Sequence, residues 1–170
     1  LEAQLLLARV LEQPRAWVLA HLDQELSGAQ AALLDEMLAR LATGLPLAYL
    51  LGEVEFYGMR FMVNPEVLIP RPETELLVDE ALAWLRAHPG RRWATDVGTG
   101  SGCIAAVLVA RAPDLRLLAV DRSRAALETA RENFIRLGLA DRVLLVQSDL
   151  LSCCGAAFDL VCANLPYFPS

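Results

Sequence analysis

Asp96-Val97-Gly98-Thr99-Gly100-Ser101-Gly102 joins a short apolar run, Trp93 to Val97, to a second apolar stretch, Ile104 to Ala110. The first run has the length and composition of a strand, the second those of a buried helix. Three glycines at alternate positions between them let the backbone turn sharply and approach a ligand without a Cβ in the way. In an open sheet with helical crossovers, ligands bind at the carboxyl ends of the strands, where such a loop lies. A dinucleotide fingerprint needs its last glycine at position 103. That position is Cys103, so the spacing argues against a nicotinamide dinucleotide.

Outward toward the C-terminus the alternation continues: a strand over Leu115 to Val120, a helix over Ser123 to Leu137, and strands over Val143 to Gln147 and Phe158 to Ala163. Such alternation builds an α/β fold with a doubly wound parallel sheet. Two carboxylates sit at the ends of these strands. Asp121, nineteen residues past Gly102, is placed to accept both hydroxyls of a ribose; its plainer role is to cap the helix near Ser123. Asp149, with Leu150 beside it, is placed to reach an adenine amino group, or else is a solvated loop residue. Past the last strand stands Asn164-Leu165-Pro166-Tyr167. Asn offers one acceptor oxygen and two donors, and Tyr a flat face, a set suited to a planar amide or amino group. In isolation the same four residues form a turn.

Outward toward the N-terminus, a helix begins near Pro72 and runs to about Ala87. Before it come the rigid Ile69-Pro70-Arg71-Pro72 and a stretch of strand-like composition, Val54 to Val63, with Tyr57-Gly58 near its turn. Residues 1 to about 50 read as helices: Leu5 to Leu11, Trp17 to about Leu22, and a third that starts at the N-cap Ser27 and stops at Thr43-Gly44-Leu45-Pro46. The expected organisation is a helical domain over 1–50, a β-hairpin and proline-rich linker over 51–71, and a ligand-binding domain over 72–170.

Composition narrows the function classes. The 170 residues are 55% hydrophobic, but no continuous apolar run reaches the ~18 residues of a membrane span. The net charge is −6 and there is no lysine, which weighs against a nucleic-acid backbone as partner. Cys103, Cys153, Cys154 and Cys162 lack the spaced pairs of a zinc site, and adjacent cysteines make poor disulfide geometry. They read as small buried hydrophobes in a reducing cytosol. The opening Leu1-Glu2-Ala3-Gln4 has no signal-peptide pattern, and the chain reads as a piece trimmed from a longer protein.

The glycine loop, Asp121 and Asn164-Leu165-Pro166-Tyr167 resemble the class I methyltransferases that modify planar nitrogens. Leu68-Ile69-Pro70-Arg71-Pro72-Glu73-Thr74-Glu75, with Gly52-Glu53-Val54-Glu55-Phe56-Tyr57-Gly58 ahead of it, is similar to a more specific signature, that of the release-factor glutamine methyltransferases (the HemK/PrmC family). The resemblance implies a Rossmann-like, C-terminally truncated sheet and a cytoplasmic enzyme. It implies S-adenosyl-L-methionine as cofactor, held by Asp96, Gly98, Thr99, Gly100, Ser101, Gly102, Asp121, Asp149, Leu150 and Asn164. The implied substrate is the glutamine of the Gly-Gly-Gln tripeptide in class I peptide-chain release factors. Asn164, Leu165, Pro166 and Tyr167 would hold and position its amide, Arg71 and Glu73 would shape the mouth of the site, and the N-terminal helices would grip the release factor. One departure stands out: the family's motif is Asn-Pro-Pro-Tyr, and Leu165 replaces the first proline, keeping a backbone carbonyl but losing the fixed backbone angle. The rival readings are an adenine-N6 DNA or RNA methyltransferase, which uses a similar motif on a flipped base, and a non-catalytic binding module with a methyltransferase fold.

Overall fold

The computed structural model describes residues 2–155 and 157–165. By contacts the chain divides into two compact units, 1–52 and 53–170, and the hairpin region belongs with the second.

The first unit contains helices α1 (Glu2–Leu11), α2 (Arg15–Ala20), α3 (Gly28–Ala42) and α4 (Leu47–Leu51). Ser27 caps α3 in a full capping box: its Oγ accepts the Gln30 N–H at 3.3 Å, and Gln30 Oε1 accepts the Ser27 N–H at 2.9 Å. The core is small. Leu6, Val10 and Met37 are buried, with Leu34, Leu41, Leu47, Leu50 and Leu51 packed on them. Helix α4 is absent from the sequence reading, which took Pro46 only as a stop. Helix α3 already ends at its C-cap Thr43, and Pro46 begins the next helix, because its backbone angles are those of an N-cap and its carbonyl receives the Tyr49 and Leu50 N–H groups. The second helix starts at Arg15 rather than Trp17 for the same reason, with Pro14 at its N-cap.

The second unit opens with an antiparallel hairpin, β1 (Glu53–Phe56) and β2 (Met59–Met62). Its two-residue turn places Tyr57 at φ +53 and Gly58 at φ +73, the positive pair that matches the twist of the flanking strands. Tyr57 is a costly residue there, and it is held by side chains of α5 (Thr74–Ala87): its N–H donates to Glu75 Oε1 at 2.7 Å and its hydroxyl to Asp79 Oδ1 at 2.6 Å.

Strands β3 (Trp93–Val97), β4 (Arg116–Asp121), β5 (Val143–Gln147) and β6 (Leu160–Ala163) form one parallel sheet in the order β5-β4-β3-β6. Helices α6 (Cys103–Arg111) and α7 (Arg124–Arg136) complete the crossovers. One sheet face, with Ala94, Leu117, Ala119, Val143 and Cys162, is buried in a single core with residues of α5, α6 and α7. On the other face Leu144 is 65% and Val161 51% exposed. Between β5 and β6 the described residues form turns and no helix. The last strand starts at Leu160 rather than Phe158. Asp159 sits at its entrance, with one carboxylate oxygen accepting the Arg92 and Trp93 N–H groups at 3.0 and 3.1 Å.

The expectation of four buried cysteines needs correction. Cys103 and Cys162 lie in the core, but Cys153 is exposed and Cys154 partly so, because the turn after β5 stays on the surface.

Candidate active site

The carboxyl ends of β3 and β4 are tied together by backbone hydrogen bonds. Both Gly98 and Thr99 donate their N–H groups to the Val120 carbonyl, at 2.8 and 3.0 Å. The loop then closes on itself through Gly102 N–H to Thr99 O at 2.8 Å. Two of its glycines combine a positive φ with a side chain that a Cβ would have to displace. At Gly102, φ is +79 and a Cβ would stand 2.7 Å from the Phe134 ring; at Gly98, φ is +71 and a Cβ would stand 2.5 Å from Leu165 Cδ2.

Asp96 lies beneath this loop. It is fully buried, and its Oδ2 accepts the Thr99 hydroxyl at 2.6 Å. Its Oδ1 has no hydrogen-bond partner among the described residues. Burial pushes its pKa up from 3.8 to about 6, against the Thr99 hydrogen bond that pulls it down. Thr99 and Ser101 are likewise buried. These residues shape the loop from below.

Asp121 works from the open side. Its Oδ2 accepts the Gly100 N–H and its Oδ1 the Ser123 N–H, both at 2.9 Å. The plainer role is therefore partly real: Asp121 fixes the start of α7, though in the N-cap bond itself the Ala126 N–H donates to Ser123 Oγ. A carboxylate has about four acceptor sites, so two remain for a pair of hydroxyls.

Asn164 follows β6, and its Nδ2 donates to Thr74 Oγ1 at 3.0 Å. Thr74 is buried at the start of α5. The bond fixes which end of the amide points away from α5, leaving Oδ1 with no partner among the described residues. Leu165 turns its side chain onto Gly98.

A cleft of about 560 Å³ runs over these groups, and Gly98, Gly100, Asp121, Asp149, Leu150, Asn164 and Leu165 line it. Leu68 and Leu150, both more than half exposed, supply apolar lining. A carboxylate with acceptor capacity to spare beside apolar side chains is the combination that a nucleoside needs. A larger depression, about 1010 Å³, lies over Trp93, Leu118 and Leu144 on the open sheet face, away from the glycine loop.

The structure thus brings seven of the sequence-predicted residues to one cleft. Asp96, Thr99, Ser101 and Gly102 stand behind it. Arg71 and Glu73 are exposed and outside its lining. Pro166 and Tyr167 lie outside the described residues. The sequence reading missed Glu66, Val67 and Leu68, which line the cleft, and Thr74, which holds Asn164. It also missed Asn133. This buried side chain accepts the Met62 N–H at 2.7 Å and donates to the Met62 and Ser101 carbonyls at 3.0 and 2.9 Å, joining hairpin to loop. Only the polarity of Thr74 and Asn133 on otherwise apolar helix faces signals them in sequence.

Comparison with known proteins adds two matches by family. Residues 1–52 match the PrmC N-terminal domain and residues 74–169 the methyltransferase small domain. A release factor glutamine methyltransferase of Nitratidesulfovibrio vulgaris is 44% identical over 98% of this chain and 57% of its own length. That of Escherichia coli is 38% identical over 98% of this chain and 59% of its own. The chain thus spans less than two thirds of the curated relatives it matches. Among solved structures, a ribosomal protein L11 methylase of Lactobacillus delbrueckii aligns at TM-score 0.51 and 28% identity, over 61% of this chain and 51% of that one.

Proposed function

Because the chain belongs to the methyltransferase small domain family, we propose that it carries the cofactor and acceptor sites of a release factor glutamine methyltransferase. Its reaction is methyl transfer from S-adenosyl-L-methionine to the side-chain amide nitrogen of the Gly-Gly-Gln glutamine in class I release factors. The observation that carries this reading is the Asn164 amide, oriented by Thr74 at the edge of the cleft that Gly100, Asp121 and Leu150 line. The names of the 44% and 38% identical relatives support the choice of acceptor.

S-adenosyl-L-methionine supplies an electrophilic methyl on a sulfonium. Asp121 would accept the ribose hydroxyls, and the apolar side chains of Leu68 and Leu150 would flank the base. Asp149 would meet the amino edge of the adenine. An amide nitrogen is a poor nucleophile because its lone pair is delocalised into the carbonyl. Asn164 Oδ1 and the Leu165 carbonyl would each accept one of its N–H bonds and so fix the nitrogen in line with the methyl. The cofactor would supply its methyl to the nitrogen that Asn164 and the Leu165 carbonyl hold, and the amide proton would leave to water. Alignment at about 3–3.5 Å can supply roughly 7–11 kcal/mol of the barrier. Helices α1 to α4 would dock the body of the release factor.

The test is incubation with methyl-labelled cofactor and a release factor, followed by peptide mapping. Label on the Gly-Gly-Gln glutamine, lost in an Asn164→Ala variant, is the expected result. Label on adenine of an added oligonucleotide instead would overturn the acceptor.

A further inference from the structure

The turn after β5 brings two thiols together. Cys153 Sγ and Cys154 Sγ lie 3.4 Å apart on the surface, while Cys103 and Cys162 are enclosed in the core. The turn is tied to the cleft by a short chain of hydrogen bonds. The Cys153 N–H donates to Ser148 Oγ at 3.3 Å, that oxygen lies 3.2 Å from Ser152 Oγ, and the Ser148 N–H donates to the Asp121 carbonyl at 3.0 Å. Ser148 lines the cleft with Asp149 and Leu150. Leu150 sits at φ +51, a strained setting for a leucine. Hydrogen bonds from Ser148 and Cys154 hold the Cys153 thiol below its ordinary pKa, which favours the reactive thiolate.

Two adjacent thiols have two chemistries open to them. A disulfide needs the sulfurs at about 2.05 Å and normally a Cα separation of about 4.4–6.8 Å, whereas neighbouring residues are held near 3.8 Å. Chelation needs no such shift. With metal–sulfur bonds of about 2.3 Å, a bite of 3.4 Å subtends roughly 95° at the bound centre. That is narrower than a tetrahedral angle and suits a pyramidal one. No group of three His, Cys, Asp or Glu that could hold a metal occurs among the described residues, so such a centre keeps its own third substituent.

We propose that Cys153 and Cys154 form a dithiol site for a soft, thiophilic centre of the monosubstituted trivalent arsenical type. Its occupation is linked through Ser148 to the affinity of the cleft, a linkage that rests on the cofactor reading above. In the binding step an arsenic oxide R–As=O condenses with both S–H groups. Two As–S bonds form, the oxide oxygen leaves as one water carrying both protons, and no electrons are transferred.

The test is intact-mass spectrometry of the chain with one equivalent of phenylarsine oxide. A single adduct, heavier by the reagent less one water, should resist a monothiol wash and be removed by a dithiol. It should map to the peptide bearing Cys153 and Cys154. Cys153→Ser and Cys154→Ser should each lose the wash-resistant adduct. An adduct on Cys103 or Cys162, a resistant adduct in either variant, or none on the folded chain would overturn the site. Peptide mapping of the parent chain decides the matter even if a variant fails to fold. For the linkage, the adduct should weaken S-adenosylhomocysteine binding about fivefold or more, and unchanged affinity would overturn it. No binding by the unmodified chain would overturn the cofactor reading and the linkage together, while the mass measurement still decides the dithiol site.

Discussion

Asp121 holds the Gly100 and Ser123 amides on one carboxylate and has acceptor capacity left over, which the proposed ribose contact would use. Losing charge-assisted hydrogen bonds of about 1.5–3 kcal/mol should weaken S-adenosylhomocysteine binding by at least about tenfold in Asp121→Ala, as read by calorimetric titration. Asn164 is its proposed counterpart on the acceptor side. In Asn164→Ala, transfer should fall by about a hundredfold or more with cofactor affinity nearly unchanged, and a parallel loss of affinity would refute that division of roles. Asp96 predicts a pH dependence of stability. Its folded pKa of about 6 lies above the ordinary 3.8, so the folded state holds the proton more tightly. The resulting stabilisation is complete below pH 3.8 and is lost as pH rises to about 6, at most roughly 3 kcal/mol. Asp96→Asn should therefore raise the melting temperature at pH 7.5 and leave it nearly unchanged at pH 4. Equal shifts at both pH values would mean that burial of the charge is not the cause.

Between elements, the connections run through single polar side chains. Asn133 on α7 joins β2 to the glycine loop with three hydrogen bonds. Removing it strands buried backbone groups, each costing about 1–3 kcal/mol. Asn133→Ala should destabilise the chain by about 3 kcal/mol in urea unfolding, and a loss below 1 kcal/mol would show that the loop holds its shape without this link. The order of strands and helices in the second unit was legible from periodicity, because a buried parallel strand and its crossover helix differ in length and apolar spacing. Helix α4 was not, since a proline read as a stop is also a good start. That no helix stands between β5 and β6 among the described residues agrees with the sequence, where no periodic pattern marks that stretch.

At the scale of the whole chain, the cleft is built from residues 66 to 165 and the first unit has its own core around Leu6. Truncating Leu6 to Ala, a change that costs about 2–5 kcal/mol in a core, should leave S-adenosylhomocysteine affinity within about twofold. If the N-terminal helices dock the substrate, the same change should lower activity on an intact release factor far more than on a Gly-Gly-Gln peptide. Equal losses on both substrates would contradict that role.

The sequence by itself determined the order of strands and helices in the second unit, the parallel sheet and the position of the glycine loop, because each depends on residues close together in the chain. It also carried the family resemblance, through motifs of a few adjacent residues. Which of those motif residues face the cleft was decided only by tertiary structure. Thr74 meets Asn164 across ninety positions of sequence, Leu165 covers Gly98, and Asp96 is sealed beneath the loop it begins. Such partners are chosen by the packing of separate elements, and local propensity carries no record of what a side chain will meet after the sheet has assembled.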